Sequence, residues 1–135
     1  MSGPRGTPPP PPPPSGLRLS EETIGHTAIL ALDGEFDLYA VPEVDRALDV
    51  ILRRRPQRLV VDLSRVGFLN SAGLEVLVAC HRRAGPRTDL RIVATTRATW
   101  RPLRILRLHE ILAVHTSRAA ALAAPLTGDS RAWSP

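Results

Sequence analysis

Around position 71 the chain reads Leu69-Asn70-Ser71-Ala72-Gly73-Leu74, a hydroxyl and a carboxamide placed just ahead of a stretch with helical periodicity. A serine there could serve as a nucleophile, carry a phosphate, or simply help cap the helix. A serine hydrolase needs Gly-x-Ser-x-Gly on a strained strand-to-helix turn. Leu69 stands where the first glycine belongs, so only the Ser-x-Gly half is present. His81 lies too far along the same predicted helix to act as the base. The other two readings are both open on local chemistry. Asn and Ser are common N-caps, and a helix N-terminus offers unpaired N–H groups and a positive dipole end to a phosphate.

Other reactive side chains are scattered. His26, His81, His109, His115 and Cys80 show no paired-ligand spacing, so no metal site is expected. No Walker-type phosphate loop occurs, and no cofactor is expected. One cysteine excludes a disulfide framework and fits a reducing cytosol.

The elements that must hold Ser71 follow from periodicity. Leu17-Arg18-Leu19-Ser20 alternates as an edge strand would, and Ala28 to Leu32 is a short apolar run broken by Asp33-Gly34. Val41, Val44, Ala47, Leu48, Ile51 and Leu52 line one helical face, with Pro42 near its start and Arg53-Arg54-Arg55 in its last turn. Leu59-Val60-Val61-Asp62-Leu63 is nearly continuous apolar sequence, the mark of a strand buried on both faces. A helix is predicted from about Ser71 to Ala84, a strand over Leu90 to Ala94, and a short helix over Trp100 to Leu108 with Pro102 in its first turn. A last strand, Ile111 to His115, precedes an alanine-rich helix capped by Ser117. Strand-helix alternation with buried strands predicts an α/β fold, a mostly parallel or mixed sheet of four to five strands covered by about four helices. Ser71 would then sit at a strand's carboxyl end, where open α/β sheets meet ligands and partners.

The 135 residues suit one domain with tails. Residues 1–16, with seven consecutive prolines, are expected to form a disordered polyproline arm, residues 17–124 the folded unit, and residues 125–135 a loose tail. No apolar run reaches the roughly 20 residues of a membrane span, and no signal-peptide core is visible. The net charge is +5, but all 18 basic side chains are arginine, interleaved with acids, and aromatics make up only 4%. Nucleic-acid binders more often cluster their basic residues with stacking aromatics, so no nucleic-acid or membrane partner is expected.

Three segments taken together resemble STAS domains, specifically the bacterial anti-sigma factor antagonists: Gly34-Glu35-Phe36-Asp37, Val60-Val61-Asp62-Leu63-Ser64 and Asn70-Ser71-Ala72-Gly73-Leu74. The resemblance spans roughly residues 17–124. It implies a switch rather than an enzyme. An anti-sigma factor, an ATP-dependent serine kinase, would bind the unmodified chain and so release a sigma factor. Phosphorylation of Ser71 would end that binding, and a serine phosphatase would reset it in the cytoplasm. Asp37 would lie near the serine and contact the partner, and Asn70, Ala72, Gly73 and Leu74 would border the docking surface. The family usually has aspartate where this chain has Asn70. The same resemblance allows an alternative, a docking subunit of a lipid-transport ATPase or a sensory scaffold without phospho-switching.

Overall fold

A computed structural model describes residues 16–123. The expected arm therefore lies outside the described residues except for Gly16, and the expected tail lies wholly outside them. Five strands form one sheet in the order β1-β2-β3-β4-β5. They are β1 (Leu17–Ile24), β2 (Thr27–Phe36), β3 (Arg58–Leu69), β4 (Asp89–Val93) and β5 (Ala113–His115). β1 runs antiparallel to β2, and every other neighbour pair is parallel. Four α-helices connect or flank the strands: α1 (Val41–Arg53), α2 (Ser71–Ala84), α3 (Arg97–Ile105) and α4 (Arg118–Ala123).

Alternation along the strands sorts the two faces of the sheet. Leu30 and Leu32 of β2, Leu59, Val61 and Leu63 of β3, and Leu90 and Ile92 of β4 point into one large core. Val44, Leu48 and Ile51 of α1, Leu77 and Cys80 of α2, and Leu103 of α3 close that core. Ile29, Val60 and Val93 point the other way and, among the described residues, form a small second cluster with Ala121 and Leu122 of α4. β3 is thus apolar on both faces where they cross it, as its unbroken apolar run predicts.

Several boundaries differ from the expectation. β2 does not stop at Asp33-Gly34 but continues to Phe36, and β3 continues past Leu63 to Leu69. The two extensions pair in parallel, and register shifts absorb the irregularity. Gly34 makes this passage feasible with φ +125°, a conformation suited to glycine, and a side chain there would collide with the Gly16 carbonyl. That carbonyl instead accepts from the Glu35 N–H at 3.0 Å, which ties Gly16 to the sheet. α3 begins at Arg97, ahead of the expected Trp100, because the Thr96 carbonyl already accepts from Thr99 N (3.1 Å) and Trp100 N (2.9 Å). It ends at Ile105, and Leu108 falls in a 3-10 turn, Leu108–Glu110, entered through a left-handed Arg107. β5 keeps only Ala113–His115 of its predicted span, the residues paired with β4.

Candidate functional site

The carboxyl ends of β2 and β3 lie side by side, and each leads at once into a capped helical turn. After β2, Asp37 caps a 3-10 turn, Leu38–Ala40, its carboxylate accepting from Tyr39 N (3.0 Å) and Ala40 N (3.3 Å). After β3 a single residue, Asn70, intervenes before α2. Its side-chain oxygen accepts from Gly73 N at 3.2 Å, and its carbonyl accepts from Leu74 N at 3.0 Å. The Asn70 N–H donates to the Phe36 carbonyl at 3.4 Å, which brings the Asp37 turn and the Ser71 turn together.

This arrangement settles what the sequence left open. Asn70 is the cap. Ser71 is the first residue of α2, is exposed, and makes no side-chain hydrogen bond among the described residues. An unengaged hydroxyl at the positive end of a helix of almost four turns can take a phosphate with little local penalty. Two other serines, Ser64 within β3 and Ser117 after β5, are committed. Ser64 donates to the Asp62 carboxylate, and the Ser117 hydroxyl accepts from Ala120 N at 3.0 Å.

The remaining candidate residues divide by depth. Asp37, Asn70 and Ala72 are half-buried, so each offers part of its surface to a partner. Gly73 is buried and turned inward: a Cβ there would stand 2.8 Å from Leu69 Cδ1 and 3.1 Å from the Phe36 ring. Packing of α2 onto the ends of β2 and β3 is therefore what the glycine provides. Leu74 is also buried, although it lines a shallow groove along α2.

Sequence reasoning missed an apolar rim. Leu38 and Tyr39 on the Asp37 turn and Phe68 near the end of β3 are large and exposed. The available signal was their position, immediately beside the motif residues in a chain with few aromatics. It also missed a charged cluster on the far face, where Arg118 Nε donates to Asp62 at 2.8 Å and its guanidinium also pairs with Glu22. Burial pushes the Asp62 carboxyl upward, but hydrogen bonds from Ser64 and Arg118 outweigh it and leave it below the ordinary carboxylate range. These charges answer one another across strands and hold no reactive group ready.

The one cysteine is held inert by burial. Cys80 is fully buried on α2, and burial pushes its thiol up to about 11, which keeps it protonated at neutral pH. No group of three or more His, Cys, Asp or Glu that could hold a metal occurs among the described residues. No described helix is long and apolar enough to cross a membrane.

Comparison with known proteins places this geometry. A family model described as Mlab, STAS domain matches residues 19–114. Anti-sigma-F factor antagonist RsfB of Mycobacterium tuberculosis is 35% identical over 81 residues, covering 60% of this chain and 66% of that protein. The match thus spans just under two thirds of the relative's length. The structure of an anti-sigma factor antagonist from Mycobacterium paratuberculosis superposes with a TM-score of 0.78 at 29% identity, covering 82% of this chain and 94% of that one. SpoIIAA in its unphosphorylated form shares the fold at 18% identity, with a TM-score of 0.61 over 76% of this chain and 92% of its own. With the family model matching residues 19–114, most of the chain, the chain belongs to the STAS domain family.

Proposed function

We propose that this chain is an anti-sigma factor antagonist that works by partner switching. Unmodified, it binds an anti-sigma factor serine kinase in the cytoplasm and so frees a sigma factor. Phosphorylated on Ser71, it lets go, and a serine phosphatase returns it to the binding form. It acts by docking rather than by catalysis of its own. The observation that carries this reading is the Ser71 hydroxyl, exposed at the first position of α2 and unengaged because Asn70 does the capping. The likeness to antagonists, 35% and 29% identical, supports it.

The physical consequence of modification is local. A phosphate adds about −1.5 to −2 charges, which the N-terminus of α2 accepts, so the fold persists. A surface matched to a neutral hydroxyl then faces an anion. Asp37 keeps its carboxylate on the neighbouring turn, within the same exposed rim as Leu38 and Tyr39. Those residues form the rest of the docking surface in this reading.

The test is phosphorylation of the full chain by its kinase and ATP, followed by peptide mapping. Ser71 is expected to carry the phosphate. Phosphate on Ser64 or Ser117, with Ser71 unmodified, would overturn the proposal.

A further inference from the structure

β1 is an edge of the sheet: β2 pairs with one side of it, and no described strand pairs with the other. The register against β2 fixes which backbone groups the open side carries. Continuing that register sets Gly16 opposite Glu35, and the Glu35 N–H donates to the Gly16 carbonyl at 3.0 Å. A bond between directly opposed residues marks a hydrogen-bonded antiparallel pair, and such pairs alternate along the ladder. Arg18, Ser20, Glu22 and Ile24 therefore spend their backbone groups on β2, while Leu19, Glu21 and Thr23 turn theirs outward.

Charges commonly protect such an edge from pairing. The two acids of β1 are already answered within the chain, Glu21 by Arg54 and Glu22 by Arg118. Arg118 holds Oε1 of Glu22, which leaves Oε2 open. Arg18 is exposed, stands opposite Asp33 on β2, and forms no ion pair among the described residues. The edge thus carries outward backbone groups, an unengaged cation and a carboxylate with one oxygen to spare.

We propose that β1 pairs antiparallel with β1 of a second copy of this chain, with the two-fold axis at Ser20. Backbone and charge together select that register. Only Leu19, Glu21 and Thr23 have groups to exchange, so the axis must fall on a residue rather than between two. Centred on Ser20, Leu19 exchanges bonds with Glu21 of the second copy, and Arg18 faces Glu22 of the second copy. Centred on Glu21, two copies of Glu21 would oppose each other and Arg18 would face Ile24. Centred on Leu19, Arg18 would face Ser20. Opposite charges across a ladder stabilise it and like charges destabilise it. The Arg18–Glu22 contact also falls at a pair without backbone bonds, where side chains approach most closely, and symmetry makes it twice. The two sheets become one continuous sheet. Each Ser71 lies beyond β3 at the carboxyl pole of its own copy, so the seam leaves both hydroxyls uncovered and the inference does not depend on the proposed switch.

The experiment is sedimentation equilibrium of the full chain up to about 1 mM, because a single pair of strands makes a small interface and a weak dimer. A reversible monomer–dimer equilibrium is expected. Glu21→Pro removes an outward N–H while sparing the bonds to β2, and should weaken the dimer about tenfold or more. Arg18→Glu and Glu22→Arg should each weaken it about tenfold, and the double reversal should recover to within about threefold of wild type. Ser20→Cys places two thiols across the axis on Cα atoms about 4.5 Å apart, so mild oxidation with copper phenanthroline should link two chains. Glu21→Cys should not link them. Thermal melts check that each variant is folded. A chain that stays monomeric at every concentration would overturn the proposal. So would a dimer that ignores Glu21→Pro and both charge reversals, since it would then use another face.

Discussion

α2 and α4 both begin where a parallel strand ends, and both open with a small polar cap, yet the two ends are built for opposite purposes. At α4, Ser117 is spent on the Ala120 N–H, and Arg118 is bound to Asp62 and Glu22. The far end of the same helix is held by Arg58 and Arg91, whose guanidinium groups donate to the Leu122 and Ala121 carbonyls at 2.8 Å each. Cations at a helix C-terminus are favourable, and here they are packed against the sheet. At α2, by contrast, the cap is a neutral amide and Ser71 stands free in solvent. A charge added at α4 would compete with an existing ion-pair network. A charge added at α2 breaks no ion pair. What the contrast teaches is that the proposed switch at Ser71 is open to modification because the capping of α2 falls to Asn70 and does not consume the hydroxyl.

The largest effect that sharpens this contrast is on binding. Ser71→Asp should weaken binding to the proposed anti-sigma partner by about 2–5 kcal/mol, the usual cost of an uncompensated interfacial charge, while Ser117→Asp should leave affinity unchanged. Titration calorimetry of both variants decides it; equal losses would mean that the two ends are not functionally distinct.

Next comes stability at the α4 end. Asp62→Ala removes the acceptor shared by Ser64 and Arg118, and unfolding in denaturant should show a loss of about 2–3 kcal/mol. The exposed Ser71→Ala should lie within about 0.5 kcal/mol of wild type in the same assay.

At the α2 end the sensitive position is Gly73 rather than Ser71. Gly73→Ala pushes a methyl group against Leu69 and Phe36, and overpacking of this kind costs about 1–3 kcal/mol. Because the same shift moves the turn that carries Ser71, the phosphorylation rate should fall with it. An unchanged melt and an unchanged rate would show that the interior makes room without cost.

The pH dependence should also separate the two ends. Asp62 is held below its ordinary range in the folded state, so its contribution is fully present above the unfolded value of about 4. It is lost as pH falls further, through the folded value. Wild type should lose more stability in that acid window than Asp62→Asn does.

The smallest expected effect is Asn70→Asp. Both residues cap, and the added anion favours the dipole, so the melt should change by less than about 1 kcal/mol, upward if at all. Phosphorylation kinetics should change more than stability, because a negative charge now adjoins the proposed acceptor hydroxyl.

The amphipathic face of Val41 to Leu52, the continuous apolar run at Leu59 to Leu63 and the Gly85 stop after α2 were legible because they obey local periodicity and end signals. Those patterns carried the α/β class, and the ordered motifs carried the family and the place of Ser71. The extensions of β2 and β3 were not legible, because Asp33-Gly34 is locally a break and becomes strand only when β1 and β3 pair with it. The early start of α3 was hidden for a similar reason, since it depends on backbone bonds to Thr96 rather than on apolar spacing. Sequence alone likewise determined that Asn70 and Ser71 were both able to cap α2, and it could not choose between them. That choice belonged to the tertiary structure. The Asn70 N–H is bonded to Phe36, Gly73 lies flat on Phe36 and Leu69, and the helix start is thereby fixed so that the amide turns to the backbone while the hydroxyl faces water.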